Sequence, residues 1–303
     1  MRGAEGLSQT GRGWYQRGWP WGIRVGLLWL LALAGTAAAQ WWQTDVRVVE
    51  TLPGGQVDWT EGAVLSRGSA TGTTLRGARA LTDQAAVQAA RQGLGGALAQ
   101  VRLDARQMLG PTLLQAEAHR QALEALIAQA AAIETRYLPG GTVETTVQLP
   151  FAGQLIALLL LPSPATASAE GAQLHGRPSS VVSPDGEPRS EAVHTGVVID
   201  ARGLAIQPAL FPRIVDESGQ SLYAPEVVDV EAAVQQGYVA YAKTFDQAPA
   251  QARIGERPLV LRALRVAGDT RVDLVLGNAE ATRIRDYAAT RRLVRQCRVL
   301  IVM

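Results

Sequence analysis

A proline-rich segment divides this chain and limits the size of any domain on either side of it. Residues 162–192 contain five prolines among serine, glycine and alanine, and they show no apolar periodicity. This composition is typical of a flexible linker or a long loop. We therefore predict two small α+β domains, at residues 41–161 and 193–303, each a mostly antiparallel sheet with helices packed on one face.

Strand and helix patterns alternate in the first half. Strands are predicted at residues 46–50, 63–70 and 142–149, and helices at residues 74–100 and 112–135. The last strand alternates as a half-buried strand does, with Val143, Thr145, Val147 and Leu149 on one face. The second helix is expected to bury the stripe Leu123, Leu126, Ile127, Ala130 and Ile133.

The first half also contains a glycine-rich helix segment and a short apolar run. Gly93, Gly95 and Gly96 lie within the first helix, and they indicate either close packing against a sheet or an early helix end. The apolar run at residues 155–161 is too short to span a membrane and is predicted to be a buried strand.

The second half predicts a strand at residues 195–200 and hairpins within residues 213–223 and 259–276. Asn278 is expected to cap a helix that continues to about residue 294. Four consecutive apolar residues predict a terminal strand at the centre of its sheet, Val299, Leu300, Ile301 and Val302. Cys297 is the single cysteine, so an intrachain disulfide is excluded. It is expected to be a buried structural thiol, with an interchain disulfide as the alternative.

Residues 1–39 have the three parts of a secretory signal peptide. A basic leader precedes an apolar run at residues 25–35, and Ala37 and Ala39 suit the pocket of a signal peptidase. The run has about eleven residues, whereas a membrane-spanning helix needs about 20. We predict cleavage near Ala39, with an uncleaved N-terminal anchor as the alternative.

The residue after the predicted cleavage point is Gln40, where a lipoprotein would carry its lipid-bearing cysteine. The protein is therefore expected to be periplasmic or secreted, without a lipid anchor or a transmembrane segment. The leader carries four of the 29 basic residues and one of the 27 acidic ones, so the rest of the chain is close to neutral. A near-neutral chain argues against nucleic acid as a partner.

Several soft features of the first half occur together. They are Trp59 and Gly62 before a strand, Gly68 at its end, an arginine- and alanine-rich helix at residues 76–91, and the segment GTVETTVQLP at residues 141–150. Over residues 46–161 the chain resembles the twenty-kilodalton bacterial envelope lipoprotein family, which includes the flagellar assembly protein FlgP and is similar to the N-terminal domain of FlgT. The resemblance implies a compact, non-enzymatic envelope domain, and some members support flagellar or outer-membrane structures. Many members of the family carry a lipid-bearing cysteine, and this chain differs from them because it has Gln40 at that point.

Candidate binding residues are few. Asp200 ends a predicted strand and Arg202 follows on the same side. The pair could bind a polar ligand or the backbone of a partner, or only shape the turn that Gly203 completes. Arg285 and Arg292 belong to an arginine-rich C-terminal stretch. This stretch could contact an anionic glycan, lipid headgroups or the acidic face of a partner, or it could be a solvated helix face. Trp41 and Trp42 are expected to pack on the first domain or to meet a partner or a membrane interface.

No catalytic residue, cofactor site or metal site is predicted. The histidines His119, His175 and His194 lack metal-ligand spacing, and the common nucleotide, hydrolase and metalloprotease motifs are missing. The leading hypothesis is an exported envelope protein with a structural or assembly role, in contact with other envelope proteins or with its own copies. A periplasmic module that binds a glycan or peptide is the first alternative. A hydrolase in which Asp200, Asp273 or a histidine converge is the second.

The signal-peptide prediction has a direct test. Because Ala37 and Ala39 fit the peptidase, intact-mass spectrometry of the exported protein should give an N-terminus at Gln40. An N-terminus that retains the apolar run, or one that carries a lipid, would contradict it.

Overall fold

A computed structural model describes residues 47–72, 78–114, 117–161, 194–246 and 248–303. The predicted signal peptide, Trp41 and Trp42, His175 and the predicted linker lie outside the described residues.

The first sheet is antiparallel throughout and has five strands in the order β1-β2-β3-β5-β4. Its strands are β1 Val49–Leu52, β2 Gly55–Asp58, β3 Ala63–Thr71, β4 Ala131–Leu138 and β5 Thr142–Pro150. In β5 the predicted alternation is confirmed, since Val143, Thr145, Val147 and Leu149 are buried. The order places β4 at an edge, with β5 as its neighbour among the described residues.

Helix α1, Ala78–Ala99, packs across the buried face of this sheet. The contact is close because glycine faces the helix: a Cβ at Gly68 would lie 2.1 Å from the amide nitrogen of Ala90. At the far end of the helix a Cβ on Gly93 would lie 2.6 Å from the carbonyl oxygen of Gly54. Gly93 therefore accompanies close packing, whereas a Cβ on Gly95 or Gly96 would make only ordinary contacts. None of the three ends the helix, which continues to Ala99.

The helix predicted at residues 112–135 is wrong after Gln129. The chain forms α2 Leu109–Leu114 and α3 Glu117–Gln129, and then continues as β4. Ile133, which was expected in a buried stripe, is 51% exposed on that strand. The tight turn at Pro139, Gly140 and Gly141, where both glycines have positive φ, pairs β4 with β5, and this pairing overrides the helical spacing.

The apolar run after β5 also differs from its prediction. It forms the short helix α4, Gln154–Leu160, and buries Leu155 and Ile156. A short apolar run does not by its pattern distinguish a buried strand from a buried helix.

The second sheet has seven strands in the order β8-β7-β11-β10-β6-β12-β9. Its strands are β6 Val197–Asp200, β7 Ile214–Asp216, β8 Ser221–Tyr223, β9 Ala240–Ala242, β10 Leu259–Ala267, β11 Asp273–Leu276 and β12 Val299–Val302. Both predicted hairpins form, and all four residues of β12 are buried between β6 and β9. The sheet is mixed and not mostly antiparallel as predicted. Strand β6 runs parallel to β10 and β12, β12 runs parallel to β9, and β7 runs parallel to β11.

Four helices accompany the second sheet: α5 Val230–Gln236, α6 Ala248–Ile254, α7 Asn278–Arg285 and α8 Ala288–Arg295. The single helix predicted from Asn278 is wrong, because the chain breaks it at Asp286 and Tyr287, and Gly277 occupies the cap position.

Helix α8 ends in a Schellman turn. The amide of Arg298 donates to the carbonyl of Leu293 and that of Cys297 to Val294, and Cys297 has φ 56° where glycine is usual. Cys297 is fully buried, as predicted. Its burial raises the pKa of the thiol.

The α+β class is confirmed by the two sheets and their helices. Residues Val46–Met303 form one compact unit, and a single hydrophobic cluster includes Trp59 and Leu94 beside the first sheet and Ile199 and Leu261 in the second. The division into two separate domains stays a prediction.

The glycine contact under α1 gives a stability test. Gly68→Ala should lower the free energy of unfolding by about 1–3 kcal/mol, because the added methyl group meets helix backbone that cannot rotate away. Gly95→Ala is the control: its Cβ would lie 3.5 Å from Ile127, and alanine improves helix propensity by up to about 1 kcal/mol. Urea denaturation measures both, and equal effects would contradict the packing argument.

A candidate ligand cleft where the two sheets meet

Arg102 joins the two sheets of the compact unit. Its guanidinium donates to both carboxylate oxygens of Glu50, at 3.1 and 2.9 Å, and to the carbonyl of Pro208 at 3.3 Å. Two backbone hydrogen bonds continue this contact between the sheets, which we call the seam. The amide of Leu210 donates to the carbonyl of Arg102, and the amide of Phe211 donates to that of Leu103. Strand β1, the loop after α1 and the loop before β7 are thereby held together.

Trp59 lies beside this seam and is buried. Its indole N–H donates to Glu50 at 3.1 Å, so the same carboxylate orients the ring and the guanidinium of Arg102. The ring centroid lies 5.4 Å from Phe151 and 5.7 Å from Tyr241, the latter in an edge-to-face arrangement. Tyr241 is itself fixed, because its hydroxyl bonds both the amide and the carbonyl of Ala209.

A cleft of about 280 Å³ opens against this aromatic cluster. Its sides come from the turn after β2, the turn after β5, the segment between α5 and β9, and helix α6. Buried lining residues form its floor, namely Trp59, Phe151, Ile156, Tyr238 and Tyr241. Glu61 and Ala252 line it as exposed residues and therefore mark its rim.

Arg253 is the charged group in the wall of the cleft. Its Nη1 donates to the carbonyls of Gly237 at 3.1 Å and Cys297 at 2.7 Å, and its Nη2 donates to that of Gln236. These carbonyls follow the last turns of α5 and α8, where the helix dipoles are negative. Burial lowers the pKa of Arg253, and no carboxylate of the described residues lies within ion-pair distance of it.

Asp200 and Arg202 meet as predicted. Arg202 donates from Nε and Nη2 to the two carboxylate oxygens at 2.8 and 2.7 Å, and these bonds lower the pKa of Asp200. The guanidinium also lies 5.0 Å from the ring centroid of Phe245. Gly203, at φ 82°, completes the turn. A role of this pair in partner binding stays a prediction.

The other two predicted residues lie elsewhere. Arg285 pairs with the buried carboxylate of Asp216 at 3.0 Å and also donates to Gln220. Arg292 lines a separate surface hollow with Arg291, Arg295 and Asp229. The structure thus brings Asp200 and Arg202 together but does not join them with Arg285 or Arg292 in one site.

The residues proposed for a hydrolase do not converge on the cleft. Asp273 accepts a hydrogen bond from the amide of Arg213, and burial raises its pKa. Neither it nor Asp200, His119 or His194 lines the cleft. Over the described ranges there is no group of three or more potential metal ligands, and no helix there has both the length and the apolar character to cross a membrane.

Sequence reasoning missed the cleft. Trp59 belongs to the features that carry the resemblance, and no motif or spacing in the sequence marks Tyr238, Tyr241 or Arg253. The local signal was the pair of buried tyrosines in the segment GYVAY at residues 237–241, but their contact with Trp59 and Phe151 depends on the tertiary fold.

Residues 196–303 match the family model described as the second domain of Treponema pallidum Tp0624. The match covers about one third of the chain, including the whole second sheet together with Tyr241 and Arg253. Trp59 and Phe151 lie outside the matched region. No curated protein matches the chain.

The seam provides a second stability test. Arg102→Ala should lower the free energy of unfolding by about 1.5–3 kcal/mol, because it leaves the Glu50 carboxylate, only 25% exposed, without its charged donor. Arg120→Ala, which breaks an exposed pair with Glu117, should leave urea denaturation unchanged. An Arg102 variant as stable as the Arg120 variant would show that the seam is held by apolar contacts alone.

Proposed function

We propose that this chain is an exported, non-catalytic assembly protein of the cell envelope, and that it acts through protein–protein contacts made by strand β4. Export is supported by the signal-peptide pattern of residues 1–39. The envelope role is supported by the resemblance over residues 46–161. The observation that carries the proposal is the exposure of β4.

Strand β4 is a long, open edge. All eight of its residues are exposed, and among the described strands it pairs only with β5. An edge strand presents backbone N–H and C=O groups that can pair with another extended chain. The edge therefore offers main-chain hydrogen bonds to a partner.

Apolar side chains accompany these backbone groups. Ile133 is 51% exposed, Tyr137 55% and Leu138 43%. The guanidinium of Arg79, on helix α1, stacks 4.2 Å above the ring centroid of Tyr137. A cluster of exposed large apolar side chains on an unpaired edge is typical of an interaction surface.

The order of residues along β4 is complementary to itself. In an antiparallel pair of two copies centred on Thr135, Glu134 of one copy lies opposite Arg136 of the other, twice. The same register places Ile133 opposite Tyr137. Opposite charges and apolar–aromatic pairs across strands stabilise a sheet, and a two-fold axis repeats each favourable pair. A second copy of this chain is therefore the partner that the edge fits best.

Charges and bulges are also the usual means by which edge strands resist pairing. Here Glu134 and Arg136 pair with each other at 2.7 Å within one strand, and Ile133 is the extra residue of a bulge. In the Thr135-centred register, Glu134 and Arg136 each exchange a partner in their own strand for the oppositely charged residue of the other copy, so no ion pair is lost. Regular pairing is then expected over residues 134–136, with side-chain contacts beyond them.

Charge reversal tests this contact. Light scattering of the mature protein should show a dimer at high concentration. Glu134→Arg and Arg136→Glu should each raise the dissociation constant by at least about tenfold, because each creates two like-charge pairs. The double exchange Glu134→Arg with Arg136→Glu should restore the dimer, since it restores both pairs.

Arg120→Glu is the matched control, because it changes charge at an exposed position of α3 and should leave the mass unchanged. A protein that stays monomeric at every concentration would overturn the second copy as partner. Cross-linking from a photoreactive residue at position 137 in envelope extract would then decide the assembly role, which fails if no envelope protein is captured there.

A further inference from the structure

We propose that the cleft between the two sheets binds a small apolar or aromatic carboxylate, with the apolar part on the aromatic floor and the carboxylate on Arg253. This inference does not depend on the β4 contact, which involves other residues.

The shape and floor of the cleft suit such a molecule. Its volume of about 280 Å³ lies just below the usual range for small-ligand pockets, roughly 300–1,000 Å³, and therefore suits a small molecule. Trp59, Phe151 and Tyr241 form an aromatic floor whose polar atoms are already satisfied, as the indole N–H bonds Glu50 and the hydroxyl of Tyr241 bonds Ala209. The floor therefore offers apolar surface without unpaired polar groups.

Arg253 has donors left over. A guanidinium carries five N–H groups. The two on Nη1 go to the carbonyls of Gly237 and Cys297, with that of Tyr238 at 3.5 Å as a further acceptor, and one on Nη2 goes to that of Gln236. The Nε–H and the second N–H of Nη2 have no acceptor among the described residues. Carbonyl oxygens offset a positive charge only in part, so an anion would add the charge-assisted hydrogen bonds that this group lacks.

The charged residues around the cleft favour a ligand with one negative charge over a ligand with two. Among the described residues, Arg253 is the only basic one that lines the cleft. Glu61 on the rim is acidic, although Arg47 pairs with it at 3.1 Å. A carboxylate matches a single guanidinium, whereas a phosphate dianion would bring a second charge to an apolar floor.

The cleft also has a rim position where access can be blocked without disturbing the core. Ala252 is exposed on α6 beside Arg253 and lines the opening. Gly237, at φ 83°, leaves room for the guanidinium in the wall, because a Cβ there would crowd Nη2 of Arg253 at 3.3 Å. Ala252→Phe should therefore close the cleft, while Arg253 keeps its carbonyl partners.

Calorimetry on the mature protein uses naphthaleneacetate and its neutral amide, naphthaleneacetamide, as matched probes. The acid should bind with one site per chain and at least about tenfold more tightly than the amide, the factor expected for charge-assisted hydrogen bonds. Ala252→Phe should weaken the binding of the acid by at least about tenfold. Ala279→Phe, at an exposed alanine of α7 outside the cleft, should leave it unchanged.

Arg253→Met should remove the preference for the acid if the variant folds. If it does not, the two probes and the Ala252→Phe variant still decide the question. Equal binding of acid and amide would overturn the role of Arg253. Binding that persists in Ala252→Phe, or no binding of either probe at millimolar concentration, would overturn the site.

Discussion

The carboxylate of Glu50 is the group on which the arrangement of the two sheets depends. It accepts two hydrogen bonds from Arg102 and one from the indole of Trp59, although it belongs to a four-residue edge strand. Through Arg102 it holds the loop before β7, and through Trp59 it sets the ring that meets Tyr241. A hydrogen bond to a charged group is stronger than a neutral one, so one side chain fixes both the seam and the floor of the cleft.

Much of the fold follows from local pattern. The alternation in residues 142–149, the hairpins of the second half and the buried terminal strand were predictable because period two and continuous apolar runs directly reflect burial on one or two faces. Ile133 was not, because it continues the helical spacing of α3 by chance. Only pairing with β5 across Gly140 and Gly141 shows that the chain has left the helix.

The candidate sites were less predictable for a related reason. Asp200, Arg202, Arg285 and Arg292 were selected by charge and local spacing, and the structure shows that three of them have ion-pair partners. The cleft, in contrast, combines Trp59 and Phe151 from one half with Tyr241 and Arg253 from the other. Contacts at such sequence separation are set by the seam and leave no periodic signal in a single sequence.

The arginines of the fold differ in how their charge is offset, and this difference separates structure from binding. Arg102 and Arg285 each face a partly or fully buried carboxylate, so another anion would have to displace an existing partner. Arg253 faces only carbonyl oxygens at the ends of α5 and α8. These hold the guanidinium in place but leave its charge without a counterion. Of the three, Arg253 is therefore the position where a bound anion would gain most and disturb least.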